Sequence, residues 1–248
     1  MTTFDFGRGP VPAHRHTNPD GSEGGWVADS AIVSKNARVS RDARVFDTAR
    51  VLDDAYVDGS ARVFGNAQVS SNARVLENAQ VFDNAAVSAD ARVSGKTTVS
   101  GTAWVSGAAR VFGNASVCGN ARVCGSAQVF DFAKISDDAW VGGAAQVSGH
   151  AVVFGGAHLA GSAQVSDIDD IIHGYAFYQW CAMRCADGTV WLHYGCEFHA
   201  LADWTTEKCA ALASRHAGDA VEKFTNITSS IAAMARAVMG PDAKDAKS

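Results

Sequence analysis

A six-residue repeat dominates the amino-acid sequence. In steps of six from Val33 to Val165, all 23 positions are aliphatic, and the position two residues earlier is Ala in 22 of 23 cases, Thr97 being the exception. An α-helix has 3.6 residues per turn and cannot keep a six-residue period on one side, whereas residues spaced by two share one side of a β-strand. The unit Ala-x-Val-x-x-x therefore predicts short strands joined by corners, with Ala and Val inside.

The remaining positions of the unit are rich in Gly, Asn, Asp and Ser, which favour sharp turns and left-handed backbone. A weaker period of eighteen residues sets the number of sides, because three units per coil would stack Phe rings that recur at this spacing. These rings are Phe46, Phe64 and Phe82 and, as a second set, Phe112 and Phe130. We therefore expect a mainly β protein in which residues 31–166 form a three-sided parallel β-helix of seven to eight coils.

The position between Ala and Val points outward and carries most cations of the repeat. Nine of the 12 basic residues in residues 31–166 occupy it, whereas ten of the 11 acids lie in the last two positions of the unit. One side, here named the arginine face, stacks Arg38, Tyr56, Arg74, Arg92, Arg110, Gln128, Gln146 and Gln164. A second side, the tryptophan face, stacks Arg50, Gln68, Ala86, Trp104, Arg122, Trp140 and His158. Arg122 is then flanked by two indoles, an arrangement suited to cation–π contact.

These outward side chains have two interpretations. Arg, Tyr and Trp often anchor protein interfaces, which makes the faces a recognition surface for a partner protein or a polyanion. The candidate binding residues are Trp104, Arg122, Trp140, Arg38, Tyr56, Arg74, Arg92 and Arg110. In the other interpretation, long Arg and Gln stems merely cover the sheet while their heads stay hydrated and nearby acids balance them.

Residues 1–30 lack the repeat and contain Pro and a Gly-rich run. The open end of a β-helix exposes unpaired backbone groups, so we predict that this segment is an N-terminal cap, with Trp26 plugging the end of the tube. His14 and His16 are conceivable metal ligands, but two His in a capping segment are more often solvated polar residues, and we expect no metal there.

After Val165 the repeat fails, and residues 167–239 are predicted to form a small α+β domain. Residues 175–185 and 189–195 are typical of two strands joined by a turn at 186–188, followed by a helix near 205–216 that Asp203 caps. A second helix from residue 219 has an apolar stripe formed by Val221, Phe224, Ile227, Ile231, Met234 and Val238. The hairpin, the end of the prism or the same helix of a second copy would bury this stripe, so a homodimer is one expectation. Residues 240–248 are predicted to be a frayed tail.

One group of residues in this domain carries the chemistry of a metal site or a nucleophile: Cys181, Cys185, His193, Cys196 and His199. The C-x3-C spacing does not match the tight knuckle of most structural zinc sites, and small thiols on one side of a strand also suit a core. A cysteine nucleophile would need a paired His and an orienting group. We expect packing here, and neither a metal nor a cofactor.

Composition excludes some partners. The formal charge of −5, from 21 basic and 26 acidic residues, gives no overall attraction to nucleic acid or to an anionic membrane. The sequence shows no export signal and no apolar stretch of membrane-spanning length, and six Cys are too sparse for a disulfide scaffold. We expect a cytoplasmic protein with reduced thiols that binds neither nucleic acid nor membrane.

Two segments carry a family resemblance. The run from Gly9 to His16, followed by Gly24-Gly25-Trp26-Val27 and then by Ala-x-Val units, resembles the opening of hexapeptide-repeat proteins of bacteriophages and prophages, which are related to YdcK-like proteins. The run from Asp187 to Cys196, followed by Leu201–Trp204, is similar to the small domain that ends many of them. The resemblance implies a left-handed coil and a phage or prophage accessory protein made in host cytoplasm, and it supplies no functional residues.

Three functions stay open at this stage. The first, which we expect, is a non-enzymatic scaffold that binds a host protein such as a defence component. The second is an acyltransferase, because hexapeptide coils resemble those of enzymes that transfer acetyl groups from coenzyme A. Such enzymes use a His base and a projecting loop, whereas this repeat is unbroken and His150, His158 and His173 lack an evident acidic partner. The third is a structural or virion-associated role.

Overall fold

In a computed structural model of the chain, the repeat forms a parallel β-solenoid of about eight turns. The structure describes residues 2–40, 42–166, 171–176, 178–184, 190–194 and 197–205, together with residues 208, 211, 231, 232 and 235. Within residues 171–200, the side chains of Val190, Leu192 and Ala200 are described.

Each side of the solenoid is one parallel sheet of two-residue strands. The strands of the arginine face are Arg38–Val39, Tyr56–Val57, Arg74–Val75, Arg92–Val93, Arg110–Val111, Gln128–Val129, Gln146–Val147 and Gln164–Val165. Those of the tryptophan face are Ile32–Val33, Arg50–Val51, Gln68–Val69, Ala86–Val87, Trp104–Val105, Arg122–Val123, Trp140–Val141 and His158–Leu159. The third face consists of Arg44–Val45, Arg62–Val63, Gln80–Val81, Thr98–Val99, Ser116–Val117, Lys134–Ile135 and Val152–Val153, preceded by cap strands.

Successive coils pair in register at a spacing of eighteen residues. Arg74 lies between Tyr56 and Arg92 on neighbouring strands, and its backbone N–H donates to the carbonyl oxygen of Ala91 at 2.9 Å. The predicted ring stacks are also present, with 4.9 Å between the Phe46 and Phe64 centroids. The predictions of a mainly β fold and of three units per coil are confirmed, while the left-handed sense of the coil stays a prediction.

Valine and alanine fill the interior, as the repeat predicts. From Ala37 to Leu159, every inward Ala and every inward aliphatic residue is at most 1% exposed. Thr97, the exception to the Ala rule, is fully buried, and its hydroxyl donates to the carbonyl oxygen of Ser94 at 2.5 Å. This bond matters because a buried hydroxyl without a partner costs free energy.

From the unit of Val45 to that of Leu159, each unit turns on a residue in left-handed backbone conformation. From Asp47 to Gly161, the second residue after the inward aliphatic position has a positive φ in all 20 units, and 12 of these residues are Gly. A Cβ on Gly113 would lie 2.9 Å from the backbone nitrogen of Asp131 on the next coil, so space is short as well. The Gly and Asp content of the corners is therefore a requirement of the backbone.

Acidic corner residues also fasten one coil to the next. The carboxylate of Asp83 accepts the backbone N–H of Gly101 at 3.0 Å, and that of Asp53 accepts the N–H of Ser71 at 3.0 Å. The same bond to the residue eighteen positions later is formed by Asp47, Asp131 and Asp137. These acids thus stabilise the corners, in addition to placing negative charge along the edges.

The N-terminal segment closes one end of the solenoid with three antiparallel strands. They are Thr3–Asp5, Pro10–Thr17 and Glu23–Ala28, and the last pairs in parallel with Arg44–Val45 of the third face. The backbone at Gly25 runs directly over the first coil, because a Cβ there would overlap the carbonyl oxygens of Ser40 and Ala43. Gly24 and Gly25 permit this close crossing because neither has a Cβ that would collide with the first coil.

The predicted role of Trp26 as a plug is wrong. Trp26 occupies an outward position opposite Arg44, and the inward residue is Val27, which is 1% exposed. The two residues are in phase with the repeat, and alternation along a strand sends the first outward and the second inward. The glycine backbone and the buried His16, whose Nε2 lies 3.0 Å from the carbonyl oxygen of Ala37, cover the end instead.

Beyond the repeat, four antiparallel strands form a separate sheet: Ile171–Ala176, Tyr178–Arg184, Val190–Tyr194 and Glu197–Ala200. The two strands that the sequence predicts are present, and one further strand flanks each of them. A 3₁₀ helix spans Leu201–Asp203. Asp203 lies inside this 3₁₀ helix and does not cap the next helix as predicted. The side chain of Thr205 has that position instead, because its hydroxyl accepts the backbone N–H of Lys208 at 3.2 Å, as capping side chains do.

Several predictions for this domain lie outside the described residues. They concern Cys185, Cys196, the turn at 186–188, the tail at 240–248 and most of the two predicted helices. The predicted homodimer depends on the second of these helices and is therefore not tested either. Ile231, Ala232 and Ala235 are described, and they are helical and buried. The side chains of Cys181, His193 and His199 are not among those described.

Replacing Ala89 by Gly is expected to stabilise the protein. Ala89 has a φ of 58°, where a Cβ costs about 1–2 kcal/mol. The extra entropy of an unfolded Gly offsets only about 0.5–1 kcal/mol of that gain. Urea unfolding followed by circular dichroism should show a free energy of unfolding raised by roughly 0.5–1 kcal/mol. The matched control, Ala85→Gly in the extended and buried position, should lower it, and equal losses in both variants would contradict the corner requirement.

Replacing Gly25 by Ala is expected to dislodge the cap. The added Cβ meets backbone oxygens that cannot rotate away, and overpacking of this kind costs about 1–3 kcal/mol. Limited proteolysis should cut residues 2–28 faster in Gly25→Ala than in the native chain. Thr17→Ala, an exposed change in the same cap, is the control and should leave the rate unchanged. Equal cleavage of all three proteins would contradict the close crossing.

Candidate binding faces

The middle of the arginine face is a row of unpaired guanidinium groups. Arg74, Arg92 and Arg110 follow one another on three adjacent strands and are exposed. Adjacent strands lie about 4.8 Å apart, and like charges directly opposite each other repel. None of the three forms an ion pair with any residue that the structure describes. Ion pairs with the described residues therefore do not balance the positive charge of the row.

Arg38 at the end of the same face is tied to the cap. Its Nη1 donates to Asp20 at 2.9 Å, and Asp20 also accepts the hydroxyl of Ser22 at 2.6 Å. Hydrogen bonds from Ser22, with a smaller contribution from Arg38, lower the pKa of Asp20 to about 2. Arg38 is thus in part a structural residue that fastens the cap to the first coil.

Tyr56 lies next to Arg38 and is also anchored. Burial raises the pKa of Tyr56, and its hydrogen bond to Asp58 raises it further. Burial alone would raise the pKa of Asp58, but hydrogen bonds from Ser40, from the N–H of Gly59 and from Tyr56 together lower it. Tyr56 is therefore a fixed, neutral donor to a charged carboxylate, half-buried between two cations of the face.

On the tryptophan face, Trp104 is an exposed aromatic side chain in a defined orientation. It is 46% exposed, and its indole Nε1 donates to the hydroxyl of Ser88 at 3.1 Å. Ser88 belongs to the preceding coil, where the outward residue is the small Ala86, and the indole leans over that coil. A large apolar ring held in this way is pre-organised for contact with another molecule.

Trp140 is more deeply integrated into the surface. Its Nε1 donates to Cys124 Sγ at 3.0 Å, and the imidazole of His158 stacks on the indole with 3.6 Å between centroids. The ring also lies over Gly142, where a Cβ would come within 2.9 Å of it. Trp140 is therefore half-buried, and packing accounts for much of its position.

A shallow groove of about 400 Å³ beside Trp140 is lined by that residue and by Asn120, Arg122, Asp138 and His158.

The predicted position of Arg122 between two indoles is confirmed by the strand register. A cation–π contact of Arg122 does not occur among the described residues. The physical reason is the orientation of the rings, because Trp104 leans toward Ser88 and away from Arg122, while corner and neighbouring side chains hold Trp140. The described cation–π contacts pair Arg8 with Phe64, Arg15 with Trp26 and Arg44 with Phe4.

The histidines considered for acyl transfer have stacking partners. His150 stacks on Phe132 with 5.2 Å between centroids, and His158 stacks on Trp140. The side chain of His173 is outside those described. The coil carries no projecting loop between residues 42 and 166, all of which the structure describes. The expectation of a non-enzymatic protein stays a prediction.

In the cap, His14 and His16 contact separate groups. His14 Nδ1 lies 2.8 Å from an Asp29 oxygen at the surface, whereas His16 contacts a buried backbone carbonyl. Over the part of the chain that the structure describes, no three His, Cys, Asp or Glu residues cluster as metal ligands would.

A second groove, named here the N-terminal groove, was missed by the sequence analysis. It has a volume of about 340 Å³ and is lined by Phe4, Arg15, Trp26, Asp42, Arg44, Ser60 and Arg62. The eighteen-residue spacing of Trp26, Arg44 and Arg62 would have placed those three on one face. The contributions of Phe4 and Arg15 could not be foreseen, because both lie outside the repeat.

Comparison with known proteins is consistent with the observed architecture. Among the described residues, no helix has both the length and the apolar character needed to cross a bilayer. None of the curated proteins that were compared matches the chain significantly. Residues 145–161 match the family model of the YdcK β-solenoid repeat. This match and the stacked coils identify a β-solenoid repeat protein.

Proposed function

We propose that this protein is a non-enzymatic scaffold, an accessory protein of a phage or prophage, that binds a host protein through its arginine and tryptophan faces. The row of Arg74, Arg92 and Arg110 carries the proposal. Three like charges on adjacent strands repel each other in the free protein, and a partner with carboxylates opposite them removes that repulsion. Guanidinium groups suit this role because they bind carboxylates with two parallel hydrogen bonds.

Trp104 adds an apolar anchor on the neighbouring face. Interfaces often derive most of their binding energy from a few Trp, Tyr and Arg residues. Because the bond to Ser88 already fixes the indole, binding costs little side-chain entropy. The partner is therefore an acidic protein surface with an apolar depression, which contacts the solenoid from the side.

The biological setting in the proposal rests on resemblance. The Gly24-Gly25-Trp26-Val27 run and the following repeat resemble phage and prophage hexapeptide-repeat proteins, and residues 145–161 of the repeat match the YdcK β-solenoid model. A host protein in bacterial cytoplasm, such as a component of defence against phages, is the partner that this setting implies.

The test is capture of the partner from lysate of the bacterial host, followed by affinity measurements with the purified partner. Arg92→Glu should weaken binding by about 30-fold, the effect of losing a hot spot worth roughly 2 kcal/mol, and so should Trp104→Ala. The matched control is Lys134→Glu, which makes the same charge change at the same position of the unit on the third face. It should bind like the native protein. Affinity should also fall as salt concentration rises, because exposed charges are screened.

Three results would contradict the proposal. One is that no host protein is retained, and another is that Arg92→Glu and Lys134→Glu weaken binding equally, which would indicate attraction by net charge. The third is release of free thiol from acetyl-coenzyme A by the purified protein with an amine acceptor, which would favour an acyltransferase.

A further inference from the structure

The N-terminal groove brings together cations from two parts of the chain that are distant in sequence. Arg44 and Arg62 are outward residues on adjacent strands of the third face, and Arg15 comes from the cap strand Pro10–Thr17. All three line the groove, together with Asp42. The lining thus contains three guanidinium groups and one carboxylate, and Arg15 also donates from Nη1 to the carbonyl oxygen of Gly24 at 3.2 Å.

Two of the three arginines of the groove, Arg15 and Arg44, lie against aromatic rings. Phe4 stacks on Trp26 with 4.5 Å between centroids and an interplanar angle of 18°. Arg15 lies 4.6 Å from the centroid of Trp26, and Arg44 lies 5.3 Å from that of Phe4. Cation–π contacts of this kind fix guanidinium groups while leaving their N–H donors available at the edge.

Internal ion pairs do not neutralise two of these cations. Neither Arg44 nor Arg62 forms an ion pair with a described residue. Arg62 is exposed and Arg44 is half-buried, so their donors can be reached from solvent. The hydroxyl of Ser60 lies at the same groove and can donate a further hydrogen bond.

We propose that the N-terminal groove is a binding site for a phosphate group. A phosphate monoester carries a charge of about −1.5 to −2 at neutral pH, and its three acceptor oxygens can bind the guanidinium groups of Arg44 and Arg62 with parallel hydrogen bonds. A carboxylate carries less charge and offers only two acceptor oxygens. The open shape of the groove admits a phosphate that is attached to a larger molecule as well as a free one.

Aromatic stacking with the ligand is not part of this site. The rings of Phe4 and Trp26 stack on each other, and Arg15 and Arg44 contact the same two rings. These rings therefore position the arginines and are not the place where a nucleotide base stacks. The groove therefore recognises the phosphate and not the group that carries it. The site is separate from the arginine and tryptophan faces, and its test does not depend on the proposed function.

The test is isothermal titration of the full-length protein with two probes, inorganic phosphate and a short Gly- and Ala-rich peptide that contains one phosphoserine. Arg62→Gln should weaken binding by about tenfold or more, the usual effect of losing a charge-assisted hydrogen bond. Arg62→Lys keeps the positive charge but lacks the paired N–H donors of a guanidinium group, so it should also weaken binding. The matched control is Arg92→Gln on the arginine face, which should leave affinity unchanged.

Each outcome decides the proposal. Saturable binding of both probes, lost in Arg62→Gln, supports a site for the phosphate group itself, and binding of the phosphopeptide alone supports a site for phosphate carried on a polypeptide. Absence of saturable binding for both probes would overturn the proposal. Equal weakening by Arg62→Gln and Arg92→Gln, or equal binding of the peptide without its phosphate, would overturn it as well. Since the side chain of Arg62 forms no ion pair or cation–π contact with the described cap residues, circular dichroism should show an intact fold in its variants.

Discussion

The in-register pairing of coils at eighteen residues is the constraint on which the rest of the structure depends. It requires the strands of the coils to end after two residues and successive units to turn alike, and from Asp47 to Gly161 one left-handed residue per unit provides that turn. Pairing then places identical positions above one another, so valine stacks on valine inside and outward residues form rows. The faces, the hydrogen bonds between corners of successive coils and the groove beside Trp140 follow from this single repeat distance.

A solenoid is stabilised mainly by contacts between neighbouring coils, so its outward side chains contribute little to the stability of the fold. The inward Ala and Val are buried, and the acidic corners hold backbone N–H groups, so these positions are committed to the fold. The position between Ala and Val bears no comparable requirement. An unpaired row such as Arg74, Arg92 and Arg110 is therefore not needed for folding, and the fold alone does not assign its function.

Much of the solenoid could be predicted from sequence because its information is local and repeated. The period, the number of sides, the Phe stacks and the membership of both faces all follow from counting residues. The orientation of Trp104 and Trp140 does not, because it depends on Ser88 and Cys124 in the preceding coil, sixteen residues earlier. The prediction that Trp26 plugs the tube is wrong for another reason: a large ring can fill the end of a tube, but the phase of the repeat already places this ring outside.

The arginines differ in whether a neighbouring acid neutralises their charge and whether a ring fixes their position. This difference distinguishes arginines with a structural role from arginines suited to binding. Arg38 is neutralised by Asp20, and Arg8 lies 3.7 Å from Asp47, so both fasten the cap to the coil. Arg44 is fixed by a ring without being neutralised, whereas Arg92 is neither neutralised nor fixed within the described chain. A fixed and unbalanced cation suits a small ligand, because the geometry is set before binding. A row of arginines that no described contact fixes or neutralises suits a broad protein surface, because long side chains can adjust to carboxylates whose spacing differs from that of the strands.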